Sequence, residues 1–326
     1  MYMRRSSRLS GLLVTLVLMG VALGAVLYRQ HLIDWWQLRD YTAPAEVASL
    51  ADSAQVTEYG RRVFYVARPA VEESGSFNQH CQKKAEKTIV LGCYDGRHIY
   101  IFNVGNEKLK GVKQVTAMHE MLHAAYDRLS RHERERIDDL LKQQLNGMKD
   151  DTHVNELVAQ YRRTEPNEIS NELHSIMGTE VATLSPELET YYAQYFTDRK
   201  VVVAYAQQYD AVFKQSLKEI SAIDAQLESL KTQIDSDEAS LNAAYAELQS
   251  QNQRMEALRA DNQIAAYNSM VTPYNTSVQE YNTKIAATKA LIAQYNALVA
   301  ERNQKEAAHN NLADSLNSNL QVLQSQ

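Results

Sequence analysis

The chain has 326 residues, 44% of them hydrophobic, and a formal net charge of −6. That length allows one or two domains with a real core, and the ordinary charge content excludes a wholly disordered chain. An acidic balance offers no footprint for nucleic acid, which calls for a basic face. The distribution says more than the totals. All eleven glycines fall at or before Gly178, and only Pro273 interrupts the proline-free stretch after Pro186. Irregular folds need turn residues, so the stretch beyond Pro186 is not an ordinary loop-rich domain. Function is expected before it.

Arg4, Arg5 and Arg8 precede Leu9 to Tyr28, a stretch without a charged residue. At roughly 1.5 Å per residue it spans roughly 30 Å as a helix, the thickness of a bilayer core. The reading is a single-pass cell-membrane anchor, with the arginine end cytoplasmic and Trp35 and Trp36 settling at the interface. The rival is a cleaved signal peptide, with small residues at Ala22-Leu23-Gly24-Ala25. Either way, the bulk of the chain is expected outside the cytoplasm. Cys81 and Cys93 then lie where an oxidised bridge is allowed. Such a bridge is worth about 3 kcal/mol by chain entropy.

Pro44 to Ala54 reads as a short helix, with Val47 and Leu50 apolar. Gly60 to Pro69 and Gly75 to Lys87 read as irregular or mixed. Thr88 to Tyr94 and His98 to Val104 are β-rich runs around Asp95-Gly96-Arg97, a strong hairpin signal. Gly111 to Leu129 is predicted helical, from Val115, Met118, Leu122 and Ala125. Arg131 to Gln160 is a charged helical stretch broken near Gly147 to Asp151, its first part a solvated face. Another helix is expected from about Asn167 to Gly178. Ser185-Pro186-Glu187 opens the next, which is expected to run to about Lys200.

From about Val201 the sequence repeats. Phe213, Ile220, Leu227, Ile234, Leu241, Leu248 and Met255 recur every seven residues, joined by Ile223, Leu230, Ala244 and Leu258. A second register holds Ile264, Val271, Val278, Ile285, Ile292 and Val299, followed by Tyr267, Tyr274, Tyr281, Thr288 and Tyr295. Such heptads predict a coiled coil. Met255 to Ile264 exceeds a heptad by two residues, which matches neither a stutter nor a stammer. An antiparallel hairpin turning near Asp261-Asn262 is therefore one arrangement, Pro273 is a competing break, and a parallel dimer without a turn is another. A coiled-coil partner or self-association is expected.

The chemistry points to His119-Glu120-Met121-Leu122-His123 within the helix after the hairpin. Residues four apart share a helical face, so both imidazoles can meet one ion. Glu120 lies about 100° round from His119. There it can take a proton from zinc-bound water. The bland alternative is a pair of histidines that line the core or face water. A third ligand must be Asp, Glu or His on another element. The best candidate is Glu172, in Asn171-Glu172-Leu173-His174-Ser175. Glu168, one turn earlier, and His174 are the alternatives.

Here the sequence resembles the gluzincin metallopeptidases, the thermolysin-like clan, in which HExxH is completed by a glutamate in an N-E-x-x-S type helix. His123-Ala124-Ala125-Tyr126-Asp127 is similar to the H-A-x-x-D continuation of thermolysin-like enzymes. The resemblance covers about Thr88 to Gly178. It implies His119, His123 and Glu172 as zinc ligands and Glu120 as base and proton shuttle. Two departures stand out: Ile176 occupies the place of an aspartate that orients a zinc-bound histidine, and the gap from His123 to Glu172 is longer. Asp127 is read as a hydrogen-bonded helix residue.

The expected organisation is α+β. Residues 1–28 form a cytoplasmic stub and anchor, 29–43 a linker, 44–200 a mainly helical zincin-like metallopeptidase domain with a small sheet, and 201–326 a coiled coil. The expected function is a membrane-anchored, extracytoplasmic zinc endopeptidase acting on peptides or proteins. The alternatives are a structural coiled-coil envelope protein with a zinc-stabilised or inactive head, and a hydrolase of peptidoglycan peptides. His174, Tyr126, His153, Tyr191 and Tyr192 are candidate donors to the developing oxyanion. The run from His98 to Val104 is a candidate edge strand for an extended peptide.

Overall fold

The computed structural model of the chain describes residues 13–20, 28–81, 90–164 and 166–319. The fold is α+β and mainly helical. The elements of the head are α1 (Arg29–Leu38), α2 (Ala45–Ser53), α3 (Glu58–Val66), β1 (Ala70–Glu72), α4 (Ser74–Cys81), β2 (Gly92–Tyr94) and β3 (Ile99–Phe102). A 3-10 turn follows at Glu107–Leu109, then α5 (Val112–Asp127), α6 (Arg131–Gly147), α7 (Thr152–Thr164), α8 (Ile169–Thr179) and α9 (Pro186–Tyr192). Two long helices close the order, α10 (Lys200–Ala260) and α11 (Ile264–Ser315).

The membrane anchor expected over residues 9–28 is not supported. Among the described residues no helix is long and apolar enough to cross a membrane. Within that stretch residues 13–20 are helical, and eight residues rise only about 12 Å of a core about 30 Å thick. Residues 9–12 and 21–27 lie outside the described residues. The signal-anchor reading, the single-pass cell-membrane placement and the extracytoplasmic location built on them fall together.

Local chemistry sets most helix starts. Ser130 accepts from the Glu133 backbone N–H while Glu133 reaches back to the Ser130 N–H, a capping box opening α6. Ser185 caps α9 ahead of Pro186. Thr57 accepts from Gly60 N at 3.0 Å and starts α3, a helix where an irregular stretch was expected. Its apolar Val63 and Phe64 are fully buried, so the amphipathic face outweighs the helix cost of one glycine. Likewise Ser74–Cys81 is helical, while residues 82–89 lie outside the description. Helix α9 ends at Tyr192, not near Lys200, and Val56 and Phe196 bridge across the head just beyond it.

The hairpin forms where Asp-Gly predicts it. Asp95 Oδ1 accepts from the N–H groups of Arg97 and His98 at 2.8 and 2.7 Å, and Tyr94 pairs with Ile99. β1 then joins β3 in parallel, Val71 opposite Ile101, giving the order β1-β3-β2. The strand from Ile99 is therefore central, not the edge strand expected for peptide addition. Cys81 and Cys93 are joined by a disulfide with Cα atoms 5.9 Å apart, tying α4 to β2.

Helix α5 is the axis of the head. Twelve of its 16 residues are buried, and α2, α3, β2, β3 and α8 pack on it. A helix buried nearly all round needs apolar residues nearly all round, so its histidines and glutamate are conspicuous there. The core gathers Met118, Met121 and Leu122 of α5 with Phe64, Ile99, Ile101, Tyr192, Tyr195 and Phe196, each at most 1% exposed.

The chain divides into two compact units, 1–211 with 314–326, and 212–313. In the second unit, early residues of α10 meet late residues of α11. Glu219 accepts from Lys305 at 2.7 Å, Asp224 from Arg302 at 2.7 Å, and Ser240 from Lys284 at 2.7 Å. The two helices are thus antiparallel, and the chain reverses at 261–263 with Asn262 at φ 56°. Pro273 stays inside α11 on an exposed position. The second register is corrected in part: Ile264 is 50% and Ile292 37% exposed, while the tyrosine positions and Leu291 are half-buried. After 313 the chain rejoins the first unit, where Asn106 Nδ2 donates to Ser315 Oγ at 2.9 Å.

Candidate metal centre

His119 and His123 sit one turn apart on α5, with ring centroids 4.8 Å apart and planes at 70°. Helix α8 packs along α5. Gly178 permits the close approach, since a Cβ there would fall 2.3 Å from Leu122 Cδ1 and 2.9 Å from Tyr192 Cε1. The end of α8 is fixed by Arg199, whose buried guanidinium donates to the carbonyls of Met177 and Val181 and pairs with Glu189 at 2.6 Å.

That packing brings Glu172 onto both histidines. Its Oε2 lies 3.4 Å from His119 Nε2 and its Oε1 lies 3.5 Å from His123 Nε2. These separations exceed a good hydrogen bond. They match the spacing of about 3.4 Å between neighbouring ligands of a tetrahedral zinc with bonds near 2.1 Å. The donor set, two imidazoles and a carboxylate, is also one that zinc takes. Glu120 belongs to the same cluster, with ligand atoms of His119, Glu120 and His123 all within 4.8 Å of one another. Glu172, Glu120 and His123 are 4%, 6% and 8% exposed. Buried carboxylates at that depth require a cation or proton nearby.

In the metal-free protein, burial opposes charge on His119, but Glu172, and less strongly Glu120 and Glu180, outweigh it and raise the imidazole to about 9. His174 moves the other way: burial, then His123 and His119, hold it down at about 3. The signs oppose. A histidine raised above its unfolded value of 6.5 stabilises the fold below that pH, and the gain is lost as pH rises through 9. A depressed one stabilises above 6.5 and loses the gain as pH falls towards 3. Metal-free protein should therefore be most stable near pH 6.5. Urea unfolding across the acid and alkaline sides should give a maximum, and a steady rise with pH would contradict the assignment. Zinc needs the neutral ring, so its affinity should climb through the alkaline window.

The other expected residues fall elsewhere. Glu168 is exposed at the N-cap of α8, outside the cluster. His174 is fully buried behind it, its Nε2 2.8 Å from the Tyr191 hydroxyl. Tyr126 donates to Asp138 Oδ1 at 2.7 Å, and Tyr192 to the His174 carbonyl at 2.7 Å. Tyr191 also meets Tyr195 at 3.3 Å. Each of these three hydroxyls thus already has a partner within the head. The His153 side chain lies outside the described residues. Asp127 is exposed at the end of α5.

Three contributors escaped the sequence reading. Glu180 adds negative charge at His119, and Arg199 anchors α8. Gly92, on edge strand β2, faces the centre: a Cβ there would fall 2.8 Å from both Cγ and Oε1 of Glu120. Gly92→Ala should therefore displace Glu120 and cost at least about tenfold in any Glu120-dependent turnover, since a full 1 Å of misplacement costs about 100-fold. Steady-state kinetics with zinc content checks this, and unchanged turnover would refute it. No protein-family model, no curated protein and no solved structure matches the chain.

Proposed function

We propose that the chain is a zinc-dependent endopeptidase of the gluzincin kind. In this reading His119, His123 and Glu172 hold one zinc ion in a zincin-like head. The observation that supports it best is the placement of the two Glu172 oxygens at 3.4 and 3.5 Å from the two Nε2 atoms. Zinc, when bound, supplies Lewis acidity toward a carbonyl oxygen and toward water. Glu120 accepts the proton of the attacking water and passes it to the leaving amine. Its burial beside Gly92 keeps the carboxylate largely out of water. Strand β2, which has one strand neighbour among the described residues, rather than β3, is the strand beside Glu120 on which an extended peptide would pair. The second unit is read as an antiparallel coiled coil that positions substrate or partners, or pairs with another copy.

The low exposure of all four side chains favours a second reading, in which zinc only stabilises the head of a structural protein. Zinc-loaded full chain, assayed on an unfolded protein and on muropeptides, separates the readings. Endopeptidase function predicts turnover on the unfolded protein that a chelator stops and zinc restores. Turnover confined to muropeptides would assign a cell-wall peptide hydrolase instead. No turnover, with a chelator lowering Tm, would support the structural reading.

A further inference from the structure

Helix α5 and strand β2 run side by side from the metal cluster to a second feature. Gly92 lies against Glu120, and two residues on Tyr94 lies with Ala124 in the wall of a cavity of about 300 Å³. Glu120 and Ala124 are one helical turn apart, about 6 Å along the axis. Gly92 and Tyr94 share a strand face about 7 Å apart. The cavity therefore begins one residue pair away from the cluster.

Its wall is rich in guanidinium groups. Arg68, Arg97 and Arg128 line it, with His98 beside them, and no carboxylate is among the lining residues. Arg128 is neutralised from behind by buried Asp34 at 2.9 Å. Arg68 is held by stacking on Tyr41 at 4.3 Å and by donating to the Gln37 carbonyl at 2.6 Å, neither of which removes its charge. Among the described residues Arg68 and Arg97 form no ion pair. Asp95 and Asp127 lie near Tyr94, but the charged side chains on the wall itself are guanidinium groups, which suit a carboxylate.

We propose that this cavity is a carboxylate-binding subsite. It receives an aspartate or glutamate side chain, or the terminal carboxylate, of an extended peptide lying along β2 with its reacting bond at Glu120. The choice of a peptide rests on the endopeptidase reading; the carboxylate preference rests on the arginines.

Direct binding tests it. Full-length zinc-loaded Glu120→Gln protein is titrated calorimetrically with three peptides: one neutral and capped at both ends, the same with one internal glutamate, and the neutral one with a free C-terminus. One carboxylate peptide should bind about tenfold tighter than the neutral one, as charged hydrogen bonds provide. Which one does so tells side chain from terminus. Arg97→Ala should remove the preference, and because Arg97 lies in the exposed hairpin turn the fold should survive. Arg97→Glu should reverse the preference, so that the neutral peptide binds tighter than the carboxylate ones. Equal affinity for all three peptides, or a preference unchanged in both variants, would overturn the subsite. Charge-selective binding without any cleavage by wild-type protein would count against the endopeptidase reading and leave the subsite standing. Cleavage without charge preference would do the reverse.

Discussion

Glu172→Ala should lose zinc. A change outside the ligand set costs 10- to 100-fold in metal affinity, so removing a ligand should cost more than about 100-fold. The variant dialysed against dilute zinc should hold well under one ion per chain while wild type holds one. Stability should change in a way that identifies the cause. Without Glu172 the His119 ring loses the partner that raises it to about 9, so metal-free variant should lose most stability below pH 6.5 and progressively less as pH rises from there through 9. Undiminished zinc in the variant would remove Glu172 from the site and reopen Glu168, exposed though it is, and His174.

Glu120→Gln should separate binding from chemistry. Glutamine keeps the shape beside Gly92 but cannot accept a proton. Hydrolysis should fall by about 10²- to 10⁴-fold, the usual worth of a general base, with zinc content unchanged. A fall in zinc to match the fall in rate would instead make Glu120 a ligand, which its position within 4.8 Å of the imidazoles makes a real alternative. Turnover equal to wild type would eliminate it as the base.

What the sequence disclosed was largely local. Asp95-Gly96, Ser130 with Glu133, and Ser185-Pro186 each carry a turn or cap in three or four residues, and each element begins where those residues place it. The reversal near Asp261-Asn262 was legible because the heptad slips there. Two histidines on one face of α5 needed only helical periodicity. What depended on distant partners was not legible. Three-residue β1 has no pattern of its own, yet by pairing with β3 it makes β3 central and leaves β2 on the edge. Tyr126, Tyr191 and Tyr192 looked available as donors until Asp138, His174 and the helix packing claimed their hydroxyls. Helix α3 was hidden by Gly60, although Thr57 caps it and Phe64 anchors it. The N-terminal apolar run shows the opposite error: hydropathy alone suggested an anchor that no described helix supports.

The central claim is that one zinc ion at His119, His123 and Glu172 makes this chain a peptide hydrolase. Zinc-stripped full-length protein, titrated with zinc while hydrolysis of an unfolded protein is followed, tests it most directly. The account predicts a rate that rises with zinc and saturates at one equivalent per chain. A chain that binds its equivalent of zinc and hydrolyses nothing would contradict it.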